Sequence, residues 1–187
     1  MEGAKNTTEK QYRIIVDYAL SIFEKKNRDY GTAWRILRLP SITDQIFIKA
    51  KRIRSIQEKQ VNKVGETIEG EFYAIINYCI MALLQLHWAE DSRIEIGIDE
   101  VIDGYKKEYE TTVALLMNKN HDYDEALREM RVSSMTDIIL MKLFRTKQIE
   151  DNNGQTEVSE GVDANYRDMI NYAVFCLILL GKADDNA

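Results

Sequence analysis

The chain has 187 residues with one proline, nine glycines and a net charge of -6, enough length to bury a core and few residues that break helices. The acidic balance excludes a surface that coats duplex DNA or RNA, which needs excess Lys and Arg to displace counterions; a small phosphorylated ligand held by local cations stays open. The N-terminal MEGAKNTTEKQYR lacks an apolar h-region, so no secretory signal is expected.

The first predicted helix covers about 12–27, where Ile14, Ile15, Tyr18, Leu20, Ile22 and Phe23 form one apolar face. A short piece at about 31–38 follows. A third helix is expected after Pro40-Ser41-Ile42-Thr43-Asp44, running to about 60, because Ser followed three residues later by an acid resembles a capping box. A fourth covers about 66–89 and is apolar nearly all round, which requires neighbours on every side. Residues 90–100 form a connector, and the order then repeats: about 103–119, 124–131, a helix to about 149 after Ser134-Met135-Thr136-Asp137, a polar loop EDNNGQTEVSE, and a core helix at about 158–181.

The repetition extends to side chains. Residues 26–52 and 119–145, shifted by 93 without a gap, agree at 13 of 27 positions. The shared residues include Lys26/Lys119, Asn27/Asn120, Asp29/Asp122, Tyr30/Tyr123, Arg35/Arg128, Asp44/Asp137, Lys49/Lys142 and Arg52/Arg145; over the fourth helix the shift becomes 94, aligning Asn77 with Asn171. Retained polar residues mark two copies of one structural unit. The expected fold is an all-α helical bundle of two tandem pseudo-symmetric repeats, 1–95 and 96–187, of about four helices each, packed as one compact unit about a pseudo-twofold axis. The chain is therefore expected to be a monomeric pseudo-dimer or a homodimer of such units.

The apolar stretches 72–84 and 172–180 fall short of the roughly 20 residues of a membrane span. Cys79 and Cys176 lie within them and read as core residues of a protein in the reducing cytoplasm. No Gly-rich phosphate loop is present, and the two histidines, His87 and His121, make no zinc motif.

Candidate chemistry gathers at the fourth helix of each repeat. Glu160, Asp163, Asp168 and Asn171 are expected on one stripe, with Glu66, Glu69, Ala74 and Asn77 at the matching positions and Glu71 as an extra acid. Carboxylates at such spacing suit Mg²⁺, so Glu66, Glu69, Glu160, Asp163 and Asp168 are candidate ligands, and Glu160, Asp163 and Asp168 candidate catalytic groups. Acids in a first helical turn also complement the helix dipole without any metal. Lys49, Arg52, Lys142 and Arg145 would either grip phosphate or pair with those acids. Tyr30 and Trp34 could stack on a base while Arg35 or Arg128 holds phosphate; Asp29, Asp122, Tyr123, Asn77 and Asn171 complete the candidate nucleotide contacts, and Asp44 and Asp137 read as helix caps.

These motifs, K-N-x-D-Y, K-x-x-R and E-x(7)-D-x-x-N-Y, resemble the nucleotide-modification-associated helical family of phages and bacteria, a former domain of unknown function. In the second repeat they are Lys119 to Tyr123, Lys142 to Arg145, and Glu160 to Tyr172; in the first, Ala74 replaces the Asp. The resemblance implies a link to nucleotide metabolism or base modification. A more distant similarity is to the all-α nucleoside triphosphate pyrophosphohydrolases of the MazG and dimeric dUTPase kind, and implies Mg²⁺ on carboxylates of two adjacent helices. Here the third helix carries cations, with Ile48 and Met141 beside its lysines and no ExxE pair. The expectation is a protein that binds a nucleotide-like phosphorylated ligand between the third and fourth helices of a repeat; whether it is an enzyme stays open, and if it is, a Mg²⁺-dependent pyrophosphohydrolase-like activity belongs to the second repeat. The alternative is a non-catalytic interaction module whose polar residues are internal ion pairs.

Overall fold

The computed structural model describes residues 2–59, 67–123 and 126–186, and the side chains of all these except 2–6 and 119–123. Among the described residues every regular element is helical. The first repeat holds α1 (Glu2–Tyr30), a 3-10 turn (Ala33–Ile36), α2 (Leu39–Lys59) and α3 (Ile68–His87); the second holds α4 (Ile98–Tyr123), a 3-10 turn (Ala126–Glu129), α5 (Val132–Asp151) and α6 (Val162–Leu179), followed by the short α7 (Lys182–Asp185). No helix among the described residues is long and apolar enough to cross a membrane.

Helices α3 and α6 form the centre. Phe72, Ile75, Ile76, Ala173, Phe175 and Leu177 are fully buried there, with Tyr12, Ile15, Phe23, Ile42, Ile46 and Tyr105 closing round them. Each large apolar side chain so placed contributes about 1.5–3 kcal/mol of transfer free energy. Both cysteines are free and buried within this core, and burial pushes both thiols up, Cys176 to about 12.

The repeats meet as an isologous dimer would, in contacts that come in exchanged pairs. Tyr12 donates to Asn171 Oδ1 at 2.8 Å, and Tyr105, which follows Tyr12 by 93 residues, donates to Asn77 Oδ1 at 2.8 Å. Thr43 donates to Glu150 at 2.7 Å, while Gln57 donates to Thr136 at 3.1 Å. Lys147 pairs with Asp44 at 2.5 Å, and Arg54 with Asp137 at 3.5 Å. These last two pairs correct the capping assignment of Asp44 and Asp137. Helices α2 and α5 begin at Leu39 and Val132, earlier than the Ser-x-x-Asp signal indicates. Pro40 is tolerated in the first turn of α2, where its missing N–H is not needed. Ser134 and both acids are consequently inside the helices, and the N-cap of α5 is Arg131, which makes no side-chain cap bond.

The first helix of each repeat is longer than its apolar stripe, and the fourth is shorter than expected at both ends. In the second repeat Gly161, in extended conformation, is the N-cap of α6. Glu160 therefore lies in the loop before the helix and does not share a helical stripe with Asp163 and Asp168.

Candidate functional site

The two Lys-x-x-Arg motifs face acids of the neighbouring helix, but the repeats solve the pairing differently. In the first, Glu71 is only 2% exposed and takes both Lys49 Nζ at 3.1 Å and Arg52 Nη1 at 2.9 Å. In the second, Lys142 pairs with Asp168 at 2.5 Å. With the shift of 94, Glu71 aligns with Asn165 and Ala74 with Asp168. The acid has thus moved by about one turn between the copies, and each lysine has followed it. A buried carboxylate needs such partners, since charge taken out of water is costly unless paired.

Other candidates are held within the protein. Arg35, expected to hold phosphate, is 9% exposed and donates to the carbonyls of Trp88, Asp91 and Arg93 and to Gln85 Oε1, so it fastens the connector to the 3-10 turn. Arg128 donates to Thr8 Oγ1 and Gln11 Oε1 of α1. Asn77 donates to the Ala19 carbonyl at 3.1 Å while accepting from Tyr105, and Asn171 accepts from Tyr12. These asparagines join helices.

The described candidates for metal ligands do not gather in a group of three. Asp163 is exposed in the first turn of α6, Asp168 is engaged by Lys142, and Glu160 stands in the loop. Glu69 lies in the first turn of α3, where it complements the helix dipole. Glu66 lies outside the described residues, as do the side chains of Asp122 and Tyr123. Among the described residues no three His, Cys, Asp or Glu side chains gather as a metal cage. The described carboxylates do not form a closed cage for Mg²⁺.

Two of the concave regions among the described residues bear on these candidates. One is an open polar cleft of about 660 Å³ between α5 and the loop before α6, lined by Lys142, Arg145, Glu160 and Asn165 among others. Arg145 is exposed there and has no ion-pair partner among the described residues.

The other is a cavity of about 270 Å³ in the first repeat, between the end of α1, the following turn and α3. From α1 come Ile22, Phe23, Lys26, Asn27 and Tyr30; from the turn, Gly31, Ala33, Trp34 and Leu37; from α3, Gly70, Tyr73, Ala74, Asn77, Tyr78 and Met81. Gly31 ends α1 by adopting a left-handed φ of 59° and returning its N–H to the Asn27 carbonyl at 2.8 Å. This turn brings Trp34 back beside Asn27. Trp34 is supported behind by Trp88, with ring centroids 6.5 Å apart.

Two polar atoms in this wall lack partners. Asn27 Oδ1, on a side chain 7% exposed, and Trp34 Nε1 are buried without a hydrogen bond among the described residues. Buried polar groups are nearly always satisfied, and an orphan costs about 1–3 kcal/mol. Asn27 and Trp34 both line an aromatic cavity that suits a flat ligand, with these two atoms set behind its surface. Tyr30 stands at the rim, 64% exposed. Tyr73 is buried, which pushes its phenol up to about 12, and its hydroxyl accepts from Asn186 at 3.0 Å. Asp29 is exposed and is not part of the wall.

The structure thus brings together Tyr30, Trp34 and Asn77 from the sequence candidates and adds Tyr73 and Met81, which no motif marks. Ala74 carries the other lesson. As a lost acid it reads as a defect, yet its small side chain is what leaves room between α1 and α3.

Neither the curated proteins nor the solved structures contain a match to this chain. The family profile described as nucleotide modification associated domain 1 matches it twice, over residues 26–86 and 119–180, and each match begins at a Lys-Asn-x-Asp-Tyr motif and ends within or just beyond a core helix. The chain belongs to that nucleotide-modification-associated family, with two copies of its domain in tandem.

Proposed function

We propose that this protein binds a nucleotide-type ligand, and that the ring of that ligand enters the cavity of the first repeat. The supporting observation is an aromatic cavity whose lining includes Asn27 and Trp34, each carrying a buried polar atom without a hydrogen bond among the described residues. Membership of a nucleotide-modification-associated family favours the same ligand class. The ring would stack against Trp34 or Tyr73. Lys26, exposed at the mouth and without an ion-pair partner among the described residues, would meet a sugar oxygen.

A second reading, a non-catalytic interaction module, draws on the internal use of Lys49, Arg52, Lys142, Arg35 and Arg128. A Mg²⁺-dependent pyrophosphohydrolase activity would need the open cleft at Lys142, Arg145 and Glu160 instead, with metal ligands beyond those gathered there.

Thermal shift with nucleobases, nucleosides and nucleotides, with and without Mg²⁺, separates these. A ligand selective for the folded state raises the melting temperature by mass action. The expected result is a rise with at least one compound that is lost in Ala74→Leu, whose added carbons fill the cavity. No shift with any compound, in a folded protein, leaves the module reading. Pyrophosphate release dependent on Lys142 and Arg145 would instead place the chemistry in the second repeat.

A further inference from the structure

We infer that the first repeat's cavity takes its ligand as an uncharged ring system, a free nucleobase or nucleoside, and gains nothing from a polyphosphate chain. This rests on the nucleotide-type reading above and names the substrate class within it. The space of about 270 Å³ lies just below the usual range of roughly 300–1,000 Å³ for ligand sites. It suits a base with part of a sugar. Its described lining contains no carboxylate, and Lys26 is its one cation. A polyphosphate drawn into aromatic walls would lose its hydration without the several cations, or the metal ion, needed to replace it.

Glu95 of the connector stands against Gly31, its Oε2 3.0 Å from where a Cβ would be, so an acid lies beside the turn that lines the cavity. The cations best placed elsewhere in this repeat are committed: Lys49 and Arg52 to Glu71, and Arg35 to the connector carbonyls. The net charge of -6 further disfavours an approaching triphosphate. What the cavity offers in return is aromatic surface on which an uncharged ring can stack.

The test is titration calorimetry of the full chain with each of the common bases as nucleoside, monophosphate and triphosphate, without Mg²⁺, at low and at moderate salt. For whichever base binds, the triphosphate is expected to bind no tighter than the nucleoside, within about threefold, with little dependence on salt. Ala74→Leu, which fills the cavity, is expected to weaken the nucleoside by about tenfold. A triphosphate tenfold or more tighter than its nucleoside, with an advantage that collapses in salt, overturns the inference while leaving nucleotide binding intact. Nucleoside binding unmoved by Ala74→Leu also overturns it, since the ring would then lie elsewhere. Absence of binding by every member of every series removes the nucleotide-type reading itself.

Discussion

Tyr12 of the first repeat donates its hydroxyl to Asn171 of the second at 2.8 Å, and the same bond recurs in the opposite sense between Tyr105 and Asn77. All four side chains are buried, so each asparagine oxygen depends on a tyrosine from the other repeat. The two bonds occupy equivalent places about the pseudo-twofold axis. Tyr12→Phe and Tyr105→Phe should therefore destabilise the protein by similar amounts, each about 1–3 kcal/mol, through the acceptor left unpaired. Urea unfolding measures both. A large cost for one and none for the other would show that the repeats are not energetically equivalent across this boundary.

Glu71→Ala should cost about 3–5 kcal/mol, because Lys49 and Arg52 would lose the carboxylate around which they close. Adding Ala74→Asp together with Glu71→Asn reproduces the arrangement of the second repeat, where Asp168 holds Lys142. That double variant should regain part of the lost stability, read by chemical denaturation. It should also lose ligand, because the new carboxylate stands in the cavity wall. Recovery of stability with undiminished binding would count against the cavity as the site.

The repeat itself was legible because its signal is a constant offset that survives change in individual residues: Tyr12/Tyr105, Lys49/Lys142 and Asn77/Asn171 all keep it. The apolar stripes also revealed the order of helices. Helix starts were harder to read, since Ser41 and Asp44 imitate a cap while the backbone has already turned helical at Leu39. Charges were hardest of all. Lys49 and Arg52 look alike whether they await a phosphate or enclose Glu71, because sequence spacing gives the face of a helix and not what the opposite face carries. The cavity left almost no trace for a related reason. It exists where Ala74 is small and where Gly31 turns the chain, and empty space has no residue type.

Gly31→Ala tests that turn. At φ 59° an alanine is strained, and its Cβ would meet Glu95 Oε2 at 3.0 Å. The expected cost is about 1–2 kcal/mol from the left-handed conformation alone. Because the same turn carries Trp34 into the cavity wall, ligand affinity should fall along with the melting temperature. Gly154 also has a positive φ, of 79°, but nothing lies within 4 Å of its added Cβ. Gly154→Ala should therefore affect stability without touching binding, and a calorimetric comparison of the two variants separates strain from site geometry.

Arg35→Lys should loosen the connector although it preserves charge. The guanidinium reaches three connector carbonyls and Gln85 at once and lies over the Trp88 ring, 5.7 Å from its centroid. An ammonium cannot span that fork. Limited proteolysis should cut residues 88–97 faster in the variant, and global stability should fall by about 1.5–3 kcal/mol. A protease pattern identical to the parent's would mean that Thr32, which donates to the Ile94 carbonyl and accepts from the Ile96 N–H, holds the connector alone.

Glu150 offers a dependence on pH with a definite sign. Burial raises its carboxyl above the usual glutamate range; the hydroxyls of Thr43 and Tyr166, which donate to it, oppose that shift, and Asp44 and Asp151 add to it. The folded protein therefore keeps this proton to a higher pH than the unfolded chain does. The stability it supplies is complete below the ordinary value of about 4.3 and is lost as pH rises through the folded value. Glutamine holds the equivalent place in the first repeat, where Gln57 bonds Thr136, so Glu150→Gln introduces a group this interface already accommodates. Its amide oxygen can accept from Thr43 and Tyr166 without a buried charge. At pH 7 the variant should melt higher than the parent, and the gap should close as pH falls through the glutamate range. A gap that widens toward acid would mean that the ionised carboxylate is the form the interface prefers.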